Sequence, residues 1–358
     1  MTRTAAPSPL HPRPAAVLRD TRITLSHGSG GKAMHDLIEN VFIAGFGNSV
    51  EAAAEDQARI PLAPLAALGD RLAFTTDSYV VEPLFFPGAD IGRLAVNGTV
   101  NDLAVGGALP LFISCGVIIE EGLDVGVLRA VVASMRAAAD EAGVKIVTGD
   151  TKVVPRGAAD KLFLNTAGVG VIRRGLALSV AAARPGDAVL VNGPIGDHGV
   201  AVLNARGELA LEAAVESDSR PLGALVAALL AVCPAVRSLR DATRGGVATV
   251  LNEFARAAGV GIYLDEAALP VRPAVRGVCE LLGLDPLYLA NEGKLVAVVP
   301  PESADRALAA LRDHPYGEGA MIIGEVREAP PGRVVLKTEF GGERIVDMLV
   351  GEQLPRIC

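Results

Sequence analysis

The sequence contains no run of lysine and arginine, and its formal charge at pH 7 is −8. Nucleic acids and anionic membranes both select for concentrated basic side chains, so neither is expected as the main partner. Long apolar runs are missing too. The longest, around Leu222 to Cys233, falls short of the roughly 18 residues that a membrane span requires, and it is expected to form a buried helix. Only four cysteines occur, Cys115, Cys233, Cys279 and Cys358, with no Cys-x-x-Cys pair and no neighbouring histidine. That spacing suggests no zinc site and fits reduced thiols in the cytoplasm. The first twenty residues carry Pro7, Pro9, Pro12 and Pro14 but no apolar core of the secretory kind, so residues 1–20 are expected to be a disordered extension.

What is present is a globular composition of 358 residues, half of them hydrophobic, with few aromatics, 40 glycines and 23 prolines. Strand-like segments are expected at Ile23 to Leu25, Leu72 to Thr76, Leu111 to Ile119, Val144 to Val147 and Leu162 to Val171. A second set follows at Ala188 to Val191, Gly261 to Leu264, Leu295 to Val299 and Met321 to Val326, then a hairpin turning at Gly341-Gly342 and a last strand at Arg344 to Val350. Helical spacing lies between them, with Asp124 as a cap and Gly106 and Gly143 as stops. The irregular alternation of strands and helices predicts an α+β chain of two α/β sandwich-like domains, each a mostly antiparallel sheet backed by helices. The boundary falls near Arg173-Arg174-Gly175, giving an N-terminal domain at 21–174 and a C-terminal domain at 175–345.

Residues 346–358 form a tail ending in Pro355-Arg356-Ile357-Cys358. A sulfur at the last position sits on a tether whose final eight residues reach roughly 25 Å when extended. The adjacent α-carboxylate opposes thiolate formation unless a cation offsets it, and Arg356 is the nearest one. Such a thiol can travel between sites, although a frayed tail with an incidental cysteine fits these four residues as well.

Elsewhere His27-Gly28-Ser29-Gly30-Gly31-Lys32 precedes a helical pattern. Successive amides of such a loop can converge on an anion, with Lys32 adding charge, and a merely flexible glycine loop is the alternative. The loop is not a Walker A motif, because Ala33 stands where a magnesium-binding hydroxyl belongs. Asp77, Asp102, Asp150 and Asp241 all lie where apolar segments end, beside Gly or Asn. Several hard carboxylate oxygens facing a glycine loop suit Mg-ATP, while each aspartate alone also fits a cap or turn.

Taken together, the glycine loop, Thr76-Asp77-Ser78-Tyr79, Asn101-Asp102-Leu103-Ala104, Thr148-Gly149-Asp150-Thr151-Lys152, Asp241-Ala242-Thr243-Arg244-Gly245-Gly246 and the terminal tetrapeptide resemble the HypE family of hydrogenase maturation factors. That family belongs to the aminoimidazole ribonucleotide synthetase superfamily. The resemblance runs in order from about residue 21 to 358, and the tetrapeptide is its specific part. It implies a carbamoyl dehydratase: a carbamoyltransferase, HypF, loads the terminal cysteine, ATP drives dehydration to a thiocyanate, and cyanide passes to iron on a HypC–HypD complex. It further implies a homodimer formed through the N-terminal domains, with ATP near the dimer interface. On this resemblance Cys358, Glu292 and Lys152 are the catalytic candidates. Asp77, Asp102 and Asp241 are the magnesium ligands, and Gly28, Ser29, Gly30, Gly31, Lys32, Asn101 and Asp150 contact the nucleotide. By sequence alone Glu292 reads as a solvated turn residue and Lys152 as a surface lysine, and no catalytic role is assigned to His27, His35 or His198. Selenophosphate synthetase shares the pattern but is expected to carry sulfur or selenium in the glycine loop, where this chain has Ser29. The purine-pathway synthetase has no use for a terminal thiol, and a non-catalytic docking tail is the alternative from another class.

Overall fold

In the computed structural model, residues 18–47, 57–207, 215–351, 354 and 356–358 are described. The extension expected at 1–20 lies outside them as far as residue 17, as does Pro355 of the tail. Leu18 packs against the N-terminal core, and Asp20 approaches His27 at 3.3 Å.

The first half contributes β1 (Arg71–Tyr79), a ribbon of β2 (Phe85–Phe86) and β3 (Ala89–Asp90), then β4 (Ala108–Glu120), β5 (Lys145–Val154) and β6 (Leu162–Ile172). They form a four-stranded sheet in the order β1-β6-β4-β5, parallel only between β4 and β5, with the ribbon apart. Period-two alternation puts Ile113, Cys115, Val117 and Ile119 of β4 on the buried side, under the helices Ile91–Val105 and Val125–Ala142. The other side stays uncovered, with Leu72, Phe74 and Ile118 exposed.

The second half supplies β7 (Ala188–Val191), β8 (Ser238–Asp241), β9 (Gly261–Asp265), β10 (Leu295–Val299), β11 (Met321–Arg327), β12 (Arg333–Lys337) and β13 (Glu343–Val346). Their order is β13-β12-β9-β11-β7-β10-β8, antiparallel except where β9 meets β12. Every residue of β10 is buried, which accounts for its unbroken apolar run. The helix Gly246–Ala258 covers one face and the helices Gly223–Val232 and Ala304–Arg312 the other. The apolar run at Leu222 to Cys233 is therefore a helix of the core, as its length implies, and no helix among the described residues is long and apolar enough to cross a membrane.

Two expected strands differ from what forms. At 23–25 there is only an isolated bridge from Arg22 to Asp124, because the Thr24 amide donates to His27 Nδ1 at 3.0 Å and turns Leu25–Gly28 into a short 3-10 helix. The last strand stops at Val346 rather than Val350. Beyond it the Asp347 carbonyl accepts from the Tyr288 hydroxyl at 2.8 Å and its carboxylate pairs with Arg256, so the chain leaves the sheet.

Phe254 is fully buried between the helix Gly246–Ala258 and its sheet. Truncating it leaves a cavity as well as losing apolar burial, so Phe254→Ala is expected to destabilise the second half by about 3–5 kcal/mol, read as a lowered denaturation midpoint. An unchanged midpoint contradicts the packing described.

Candidate active site

The helix Ile91–Val105 lies between the two halves and is buried along nearly its whole length. Asp90 starts it by accepting from the amides of Gly92 and Arg93. Its middle is polar in spite of the burial. Asn97 Nδ2 donates to Ser219 Oγ at 3.1 Å, and Thr99 bonds Thr166 at 2.5 Å. Asn101 Nδ2 donates to the carbonyls of Arg220 at 3.0 Å and Glu292 at 3.3 Å, while Asn101 Oδ1 accepts from the Leu222 amide at 2.7 Å. Asn101 was expected to contact a nucleotide. Its amide is instead engaged with the main chain of the second half and stands 1% exposed. The next residue, Asp102, accepts from Thr75 Oγ1 at 2.9 Å and faces a small cavity.

That cavity, about 30 Å³, is lined by Asp77 and Tyr79 of β1, Gly98 and Asp102 of the helix, Asp241 of β8, Thr243, Arg244, Glu292 and Cys358. Five of the residues selected from the sequence therefore meet at one place: Cys358, Glu292, Asp77, Asp102 and Asp241. The tail reaches it by running between the halves. Val80 donates its amide to an oxygen of the Cys358 α-carboxylate at 3.2 Å, and Glu82 donates to the Arg356 carbonyl at 3.4 Å. The Ile357 side chain is buried in the N-terminal core, and Arg356 pairs with Asp160. Of the four cysteines Cys358 alone is not fully buried.

Glu292 is not the solvated turn residue that its sequence context suggests, being 3% exposed. The Asp218 carboxylate accepts from the amides of both Glu292 and Gly293, at 3.0 and 3.2 Å, and draws the turn inward. Only glycine fits after Glu292, since a Cβ at Gly293 would stand 1.9 Å from the Asp218 carbonyl. Burial, then the charges of Asp218, Asp241 and Asp77, holds the Glu292 carboxyl well above the usual carboxylate range, and its Oε1 has no hydrogen-bond partner among the described residues. Burial and the neighbouring Asp102 push Asp241 up to about 7. Asp102 is raised too, by burial first and by Asp77. Neither Asp241 nor Thr243 caps the following helix, because Gly245 holds that position.

Among the described residues no three carboxylate, imidazole or thiol groups converge tightly enough to hold a metal ion by themselves. Mutual repulsion within the carboxylate set nevertheless fits a hard dication that takes one or two carboxylates and completes its shell with phosphate oxygens and water. The remaining selected residues lie elsewhere in the chain. Asp150 and Lys152 stand on the exposed side of β5, paired at 2.7 Å, opposite buried Thr151. Lys152 holds Asp150 below the usual range. The loop Gly28–Lys32 abuts β5 instead of the cavity: a Cβ at Gly28 would meet Val153 at 2.9 Å, and Lys32 pairs with Asp36. Sequence reading passed over Arg244, Tyr79 and Asp218. The first two sit inside motifs that it used, whereas nothing in the local sequence marks Asp218.

Two successive halves with these carboxylates define an AIR synthase related protein: its N-terminal domain matches residues 55–172 and its C-terminal domain residues 184–337. The chain is 58% identical over 341 residues to the carbamoyl dehydratase HypE of Rhodobacter capsulatus, covering 95% of this chain and 99% of that one. A crystal structure of the hydrogenase maturation protein HypE in complex with ATP superposes with a TM-score of 0.88 at 52% identity, covering 93% and 99% of the two chains. The HypE–HypF complex gives a TM-score of 0.76 at 48% identity, covering 87% and 99%. The chain belongs to the HypE family of the AIR synthase related proteins.

Asp241 binds its proton more tightly in the folded than in the unfolded state. Stability is therefore greatest below the ordinary value of 3.8 and falls as pH rises toward about 7, by roughly 1.4 kcal/mol per pH unit from this group alone. Asp241→Asn is expected to flatten that decline in denaturation curves taken across the window. Equal slopes in the two proteins contradict the crowding of carboxylates.

Proposed function

We propose that this chain is an ATP-dependent carbamoyl dehydratase of hydrogenase maturation, acting on a carbamoyl group carried by its own Cys358. The observation that carries the reading is the placement of Cys358 in one cavity with Glu292 and three aspartates. Asp77, Asp102 and Asp241 would hold magnesium, and bound Mg-ATP supplies the phosphoryl group that makes the amide oxygen a leaving group. Within the chain, Cys358 Sγ bears the S–C(=O)NH2 group, and the hydrogen bond from the Val80 amide to its terminal carboxylate holds it at the cavity. Nitrogen loses two protons as its carbon becomes a nitrile: Glu292 takes one and the departing phosphate the other, which leaves S–C≡N and inorganic phosphate. Burial raises the proton affinity of Glu292 and makes it a stronger base than an exposed carboxylate. Arg244, in the same cavity, balances negative charge there.

In this reading residues 21–174 are the nucleotide-binding and dimerising half, 175–345 the second half and 346–358 a mobile tail. The uncovered sheet with Leu72, Phe74 and Ile118 supports a homodimer. Lys152, Asp150 and the Gly28–Lys32 loop would then meet phosphate at or near that interface, with Lys152 neutralising charge on the transferring group. The carbamoyltransferase HypF is the proposed donor and a HypC–HypD complex the acceptor of cyanide, in the cytoplasm.

Intact-mass analysis of the protein carbamoylated at Cys358 tests the reading. Addition of Mg-ATP is expected to remove one water, confined to the C-terminal peptide. Glu292→Gln should keep the adduct and lower the rate of loss by about 10²–10⁴-fold. An adduct that keeps its mass in active parent protein contradicts the proposal.

A further inference from the structure

His198 stands at the start of the helix Asp197–Ala205, fully buried, and nothing in the reaction above uses it. Its ring is wedged edge-on against Phe86, with centroids 5.5 Å apart and planes at 82°. Its two nitrogens have different partners. Nδ1 lies 2.9 Å from Ser217 Oγ, and Nε2 lies 2.8 Å from the carbonyl oxygen of Ile357, the residue before Cys358.

The hydrogen positions follow from the partners. The Ile357 carbonyl can only accept, so Nε2 carries the proton. The Ser219 amide donates to Ser217 Oγ at 3.2 Å, which leaves the serine hydroxyl proton for Nδ1. Ser217 is itself anchored by its amide to the Pro87 carbonyl at 2.8 Å. Burial holds the ring below its usual affinity for protons, in keeping with a neutral imidazole that accepts at one nitrogen and donates at the other.

The tail thus has two sets of anchors. The amides of Val80 and Glu82 bind the Cys358 carboxylate and the Arg356 carbonyl from the N-terminal half, while His198 binds the Ile357 carbonyl between them from the C-terminal half. The bonds to Cys358 and Arg356 come from main-chain groups and from Arg206, which donates to the Arg356 carbonyl at 3.0 Å. The bond to Ile357 comes from a buried imidazole whose other nitrogen is held by Ser217.

We infer that His198, fixed in one tautomer by Ser217, is a positioning residue that seats Cys358 in the carboxylate cavity and must release Ile357 whenever the thiol leaves. The inference rests on the dehydratase reading for its chemical readout and stands apart from it for its structural one. One hydrogen bond of ordinary strength shifts the seated-to-released balance by about fivefold.

Two variants test it, each in the full-length protein. His198→Leu removes the donor. Ser217→Ala frees the other tautomer, which would present a lone pair to the carbonyl. The structural readout is the alkylation rate of Cys358 by iodoacetamide, followed on the C-terminal peptide, the other three cysteines being buried. The rate is expected to rise about fivefold in both variants, measured at a temperature where each is folded. His198→Gln, whose amide nitrogen can reach the place of Nε2, should restore the parent rate. The chemical readout is single-turnover dehydration of the loaded adduct, expected to fall by about the same factor while loading of Cys358 by the transferase does not fall. Parent alkylation rates in folded Ser217→Ala overturn the inference, as does a parallel fall in loading and dehydration. If the loaded parent protein loses no water, the dehydratase reading fails, and the alkylation series still decides the role of His198.

Discussion

The helix Ile91–Val105 carries amides and hydroxyls into a dry interior, and the rest of the site depends on how they are satisfied. An unpaired buried amide costs on the order of 1–3 kcal/mol, so Asn97, Thr99 and Asn101 hold their surroundings to one arrangement. Asn101 alone fixes the carbonyls of Arg220 and Glu292 and the amide of Leu222. Those partners lie more than a hundred residues away, in the second half. The same helix presents Asp102 to the cavity, so joining the halves and placing the carboxylates are a single structural event.

The cavity crowds carboxylates around one basic side chain, Arg244. Burial first, and neighbouring carboxylates second, raise the proton affinities of Asp102, Asp241 and Glu292. Such a set is costly to fold, and strongly perturbed carboxyls of this kind cluster at functional sites. The tail is held more lightly. Its seat consists of main-chain hydrogen bonds from Val80 and Glu82, side-chain bonds from His198 and Arg206, the Arg356–Asp160 pair and one buried isoleucine, each of modest net strength, which suits a thiol that leaves and returns.

Much of this was legible in the sequence. The apolar runs gave most strands of both sheets, though not β8, Asp124 and Gly143 bounded their helix as expected, and the motif aspartates Asp77, Asp102 and Asp241 do converge. Other features depend on contacts that spacing does not report. Glu292 is drawn inward by Asp218, distant in sequence, and Asp241 is spared from capping because Gly245 adopts the left-handed conformation. The strand expected at 23–25 loses to the local bond between Thr24 and His27. Period-two alternation places Asp150 and Lys152 together and away from Thr151, but only the burial pattern of β5 shows which side is the core.

The central claim is that the oxygen of the carbamoyl group leaves as phosphate from a thiol held in this cavity. Isotope tracing reads it directly. With 18O in the carbamoyl group on Cys358 and unlabelled Mg-ATP, one turnover is predicted to give inorganic phosphate carrying a single 18O and a nitrile carbon on the C-terminal peptide. Label recovered in water, with unlabelled phosphate, would contradict the account.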